Sequence, residues 1–144
     1  MSYTQNIKHN INSETQKLVN DKGRYVSPPI YHYNTQITCE LSVFDNDLNA
    51  VTLNNSNTAS YIFGFDSTYT TLHADLYETS DFVVSDNKLT FLINTNGSSI
   101  TTFVNNSIQK NIYCNLWLKD DSEEINVLIG AWKGILKNVT GIPS

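Results

Sequence analysis

The residues most able to do chemistry are few, and their spacing decides how to read them. Asp45, Asp47 and Asn49 repeat at the interval of the first three ligands of a calcium loop. That loop needs glycine at its sixth position and a bidentate glutamate at its twelfth, and this chain has Ala50 and Ser56 there. The run instead has the composition of a tight turn, where Asp and Asn side chains accept hydrogen bonds from their own backbone. His9, His32 and His73 are the three histidines, and none stands at metal-pair spacing from another His, Cys or carboxylate. A nucleophilic Ser or Cys would need one of them as an oriented base, yet no nucleophile elbow, phosphate-binding loop or metalloprotease helix is present. The sequence therefore points to a protein that is not an enzyme, with no catalytic residue, metal or cofactor assigned.

Three further groups carry a chemical reading beside a plainer one. Cys39 and Cys114 fall on the inward phase of expected strands, where two free thiols acting as small apolar groups are favoured over a disulfide. Asp120, Asp121, Glu123 and Glu124 make an acidic loop, read as a solvated hairpin tip that discourages edge pairing rather than as a cation site. Tyr61, Phe63, Tyr69, Tyr77, Tyr113, Trp117 and Trp132 could together line a sugar-binding face, although core and subunit contacts explain them more simply. Four Asn-x-Ser/Thr triplets, at Asn54, Asn96, Asn105 and Asn138, match what chance gives in so Asn-rich a chain and carry no case for glycosylation.

The elements that must position these groups are strands. In residues 111–118, Ile112, Cys114, Leu116 and Leu118 alternate with Tyr113, Asn115 and Trp117, as a pleated strand with one aliphatic face requires. After the acidic loop a second alternation sets Ile125, Val127, Ile129 and Ala131 against Asn126, Leu128, Gly130 and Trp132, which makes an antiparallel hairpin. Residues 35–43 alternate as cleanly. A turn leads from them to a short return strand at 51–53, then to an aromatic strand at 59–65 with Tyr61, Phe63 and Phe65 on one face. A weak strand is expected near 74–77, a hairpin over 82–85 and 88–94, and a helical turn behind a Ser cap over 98–106.

Residues 1–30 read differently. Residues 1–12 are polar and aperiodic, Ser13 and Gln16 have the form of a capping box for a two-turn helix ending near Gly23, and Ser27-Pro28-Pro29 forces an extended passage. The expected organisation is an N-terminal arm or linker over 1–30 and one β-sandwich domain over 31–144. The fold class is all-β, a two-sheet antiparallel immunoglobulin-like β-sandwich with a short helical turn and an extended N-terminal arm. The Trp that antibody domains place between their two cysteines is missing between Cys39 and Cys114.

Composition narrows the partners. A chain of 144 residues is one ordinary domain, and only 16% of it is charged; 19 Asn, 15 Thr and 14 Ser supply the polarity instead. A net charge of −5 argues against nucleic acid, which draws on clustered Lys and Arg. No run of eighteen apolar residues and no signal-peptide core appear, so a soluble chain made in a cytosol, without membrane contact, is expected.

The closing hairpin, with Gly134-Ile135-Leu136-Lys137-Asn138-Val139 after it and the Pro-containing lead-in and Asp/Asn turn before it, resembles the small immunoglobulin-like domains of tailed-phage head fibres, capsid decoration proteins and baseplate or tail-fibre adaptors. The likeness covers about residues 28–140 and consists of residue-type patterns. It implies a virion structural protein, assembled in the host cytoplasm as a homo-oligomer or symmetric array on capsid, portal or tail proteins. The arm or one sheet edge would then be the attachment element, binding through the arm and exposed strands, with Ile11, Leu18, Val19, Tyr25, Pro28, Pro29, Tyr31 and Tyr33 as contact residues. The competing expectation is a carbohydrate- or receptor-binding module using exposed Tyr and Trp.

Overall fold

The computed structural model describes residues 4–120 and 125–138. The acidic run at 121–124 and the residues from 139 onward lie outside them. Two five-stranded sheets pack face to face. The first has the order β2 (Leu18–Val19), β1 (Thr4–Asn12), β4 (Gln36–Phe44), β8 (Lys88–Asn94), β7 (Phe82–Ser85). In the second the order is β3 (Ile30–His32), β10 (Ile125–Lys137), β9 (Gln109–Asp120), β5 (Ala59–Asp66), β6 (Tyr77–Thr79). The core between them is the alternate set that the sequence pattern selects. Ile37, Cys39, Leu41 and Val43 of β4 and Leu89, Phe91 and Ile93 of β8 face Tyr61, Phe63 and Phe65 of β5 and Ile112, Cys114 and Leu116 of β9. The Phe63 and Phe91 rings, one from each sheet, lie 4.9 Å apart and tilted, a favourable aromatic packing. Helix α1 (Ser98–Val104) crosses between β8 and β9 and buries Ile100 and Val104; its cap is Gly97, with no side-chain bond, in place of the expected Ser.

Several expectations are overturned. The sandwich is mixed, not antiparallel, because β1 pairs parallel with β4 and β3 pairs parallel with β10. Residues 4–12 are no arm: β1 is in register with the whole of β4, from Thr4 opposite Gln36 to Asn12 opposite Phe44. Its inward positions are Gln5, Ile7, His9 and Ile11, and two of these four are polar, which hid the alternation. Both polar groups are satisfied across the sheets, Gln5 by the Ile30 carbonyl and the His32 amide, and His9 by the Tyr31 hydroxyl. The expected helix at Ser13 is a turn, since the Asn12 side chain accepts from the Glu14 and Thr15 amides and Gln16 takes a φ of 62°.

Residues 51–53 form no strand; the Val51 amide bonds the Val43 carbonyl and the Leu53 amide turns to Asp86 on the other side. The weak strand expected at 74–77 lies slightly later, at Tyr77–Thr79. In β10 a bulge between Leu128 and Gly130 inserts one residue, so from there on Trp132 and Leu136 face inward instead of the Ile129 and Ala131 phase.

Candidate docking groove

A well-developed groove on the surface begins with two prolines. Strand β3 runs parallel to β10 over three residue pairs, from Ile30 opposite Ile135 to His32 opposite Lys137. The Ile135 amide donates to the Pro29 carbonyl at 2.9 Å, and the Tyr33 amide donates to the Lys137 carbonyl at 2.8 Å. Extending this ladder toward Ser27 would require the Pro29 nitrogen to donate to the Lys133 carbonyl, and proline has no N–H. The next rung, from the Lys133 amide to the Ser27 carbonyl, is not made either. The chain instead lifts off as residues 25–29, with Tyr25 65% and Val26 43% exposed. Lower on β10 the edge is occupied again, where the Ala131 amide donates to the Gln16 carbonyl at 3.0 Å and the Gln16 side chain donates to the Leu128 carbonyl at 2.9 Å. Residues two apart on a strand direct their backbone groups the same way. Lys133, between Ala131 and Ile135, therefore turns its N–H and C=O outward into the gap.

That gap is a groove of about 330 Å³. Its floor is Ala131, Trp132 and Lys133, its walls are residues 25–29 with Leu18 on one side and Tyr69 on the other, and Lys17 stands at its rim. Lys17 Nζ lies 5.4 Å from the centre of the Tyr25 ring, within cation–π range. Tyr69 is 71% exposed and meets Tyr113 edge-on at 5.2 Å. Both lysines are exposed and, among the described residues, no carboxylate lines the groove, so these residues form a locally positive, apolar-walled slot on a chain whose net charge is −5.

Two buried polar assemblies hold this surface in shape. Beneath the floor, Trp132 Nε1 donates to the Tyr31 hydroxyl at 2.9 Å, and that hydroxyl lies 2.8 Å from His9 Nε2. Indole can only donate, so the Tyr31 oxygen accepts from Trp132, and a neutral His9 ring shares a second hydrogen bond with the same hydroxyl. Burial lowers the His9 pKa to about 4, consistent with that neutral role. Gly134 leaves room for the tyrosine, because a Cβ there would stand 2.8 Å from Tyr31 Cε2.

Tyr69 is positioned by the second assembly. The buried Asp66 carboxylate accepts from the Thr68 amide and hydroxyl, the Asp75 amide and His73 Nδ1, and so closes the loop that carries Tyr69. Asn115 of β9 ties the same loop down by accepting from the His73 amide and donating to the Thr70 and His73 carbonyls. Burial alone would raise the Asp66 carboxyl, and the hydrogen bonds from His73, Asp75 and Thr68 outweigh it and hold the group below the usual carboxylate range. His73 with Asp66 is half of a base-and-orienter arrangement. Among the described residues no hydroxyl or thiol bonds the His73 ring to complete it.

The structure sorts the residues singled out in the sequence. Leu18, Tyr25, Pro28 and Pro29 line the groove together. Ile11 and Tyr31 are 0% exposed core residues, because β1 and β3 are sheet strands, and Val19 lies away from the groove, lining a smaller depression with Asn10 and Leu48. Tyr33 lies apart, with its hydroxyl donating to Thr101 of α1. The seven-residue aromatic face is not assembled: Tyr61, Phe63, Trp117 and Trp132 are buried, and Tyr69 is the one fully exposed member. Lys17 and Lys133 were not foreseen, since isolated lysines in sequence carry no signal of where a sheet edge will be left open.

Asp45 Oδ1 accepts from the Asp47 and Asn49 amides, the turn geometry expected there. Cys39 and Cys114 are buried and unbridged, and burial pushes both thiols up. Among the described residues no group of three His, Cys, Asp or Glu could hold a metal ion, and no helix is long and apolar enough to cross a membrane. No protein-family model matches this chain, and no curated protein sequence matches it.

Proposed function

We propose that this chain is a non-catalytic docking module, a virion structural protein of the tailed-phage kind that its sequence resembles, and that it binds neighbouring virion proteins through the β10 groove. One observation carries the reading: the edge of a central structural strand is left open by Pro29 and walled with exposed Tyr25 and Tyr69 above a rigid Trp132 floor. Exposed aromatic side chains on a pre-shaped, partly apolar surface are what protein interfaces use as anchors.

The order of strands supports an immunoglobulin-like topology. Strands β4, β8 and β7 follow the B, E, D order of that fold and β10, β9, β5 the G, F, C order, with Cys39 and Cys114 on the B and F equivalents. Strand β1, parallel to β4, is an addition to that plan. Exposed Tyr25 and Tyr69 also favour a second reading, a sugar stacked on the two rings in a carbohydrate- or receptor-binding module.

The test is assembly. In a density gradient of the producing culture, the native chain is expected to sediment with large particles and a Tyr25→Ser, Tyr69→Ser variant of unchanged circular dichroism to stay at the top. A native chain that never leaves the monomer fraction would overturn the virion reading.

A further inference from the structure

The groove has a property that an apolar slot lacks: it is bounded at both ends by backbone hydrogen bonds on the same strand edge, Gln16 to Ala131 and Pro29 to Ile135. The open interval from 131 to 135 is about 13 Å of strand, room for three or four residues of an added strand. At its centre the Lys133 N–H and C=O point outward with the spacing that another peptide backbone matches and a sugar ring does not. Lys17 and the Lys133 side chain supply positive charge at the rim, with no lining carboxylate among the described residues to oppose it.

We infer that this interval of β10 accepts an extended acidic peptide segment of a partner protein by strand addition. The backbone of the segment exchanges hydrogen bonds with Lys133, its carboxylates face Lys17 and Lys133, and its apolar side chains rest between Tyr25 and Tyr69. This inference rests on the docking reading above and names the chemistry of what docks. Pro28 and Pro29 then have a defined purpose, because they stop the chain from filling its own edge and keep it free for a partner.

The experiment is fluorescence anisotropy of the full chain with a labelled octapeptide of alternating valine and glutamate. Saturable binding is expected. It should weaken about tenfold or more in a Lys17→Glu, Lys133→Glu variant, both positions being exposed and outside the core. Binding should also weaken in moderate salt, fall when lysine replaces glutamate in the peptide, and disappear when the peptide nitrogens are methylated. A Pro29→Val chain, with its N–H restored, should lose the peptide while keeping its fold. Equal binding of the methylated peptide would overturn strand addition, as would no binding by the acidic peptide while oligogalacturonate binds or the chain self-associates through this face. If the peptide fails and the Tyr25→Ser, Tyr69→Ser variant still drops out of particles, docking stands and the acidic strand does not.

Discussion

His9 shows how a single side chain ties stability to the shape of the surface. It is 8% exposed, neutral, and hydrogen-bonded to the tyrosine that holds the groove floor. A histidine whose folded pKa is about 4 against 6.5 when unfolded favours folding in its neutral form. That contribution is complete above pH 6.5 and is lost as pH falls from 6.5 toward 4, by about 3 kcal/mol in all. Urea denaturation at pH 7 and pH 5 should therefore show a marked loss for the native chain and a smaller one for His9→Gln. An equal pH dependence in both would remove His9 from this role. The thiols report on the core at the same scale: Cys39 and Cys114 should resist a thiol reagent in the folded chain and both react in denaturant. Two reactive thiols without denaturant, or none with it, would contradict their burial as free groups.

At the scale of elements, the carboxylate of Asp66 governs a loop and the prolines govern a strand. Asp66→Asn replaces an acceptor of four hydrogen bonds by an amide that can accept on one atom alone, so the loop bearing Tyr69 should loosen. The expected cost is about 1–3 kcal/mol in chemical denaturation, with faster proteolysis between 67 and 76. Unchanged stability and proteolysis would make the Asp66 network incidental.

The regular elements were legible wherever inward positions were uniformly apolar. The strand at 36–44, the hairpin of β7 and β8, and the aliphatic face of β9 all follow from alternation. Strand β1 was not legible, because Gln5 and His9 occupy inward positions and are paid for by partners far away in sequence. The groove was half legible: Pro28 and Pro29 announced a break in regular structure, but no local pattern says that the break lies against Lys133 or that a loop held by Asp66 brings Tyr69 to it.

For the whole molecule, the N-terminal segment belongs to the fold. Ile11 contributes to the core, and β1 covers the full length of β4. Removing residues 1–12 should cost several kcal/mol, beginning with roughly 1.5–3 kcal/mol for Ile11 alone, and should leave β4 as an exposed edge prone to aggregation. A truncated chain as stable and monomeric as the native one would contradict this packing. The molecule packs two sheets tightly and leaves the 131–135 interval of the β10 edge unfilled, and its proposed work depends on that interval. Amide hydrogen exchange of the native chain, resolved residue by residue, addresses it most directly. The amides of Ala131 and Ile135, each donating to a carbonyl, should be protected, and the Lys133 amide between them should exchange orders of magnitude faster. A Lys133 amide protected as strongly as its two neighbours would mean that the edge is already closed, and the docking account would fail.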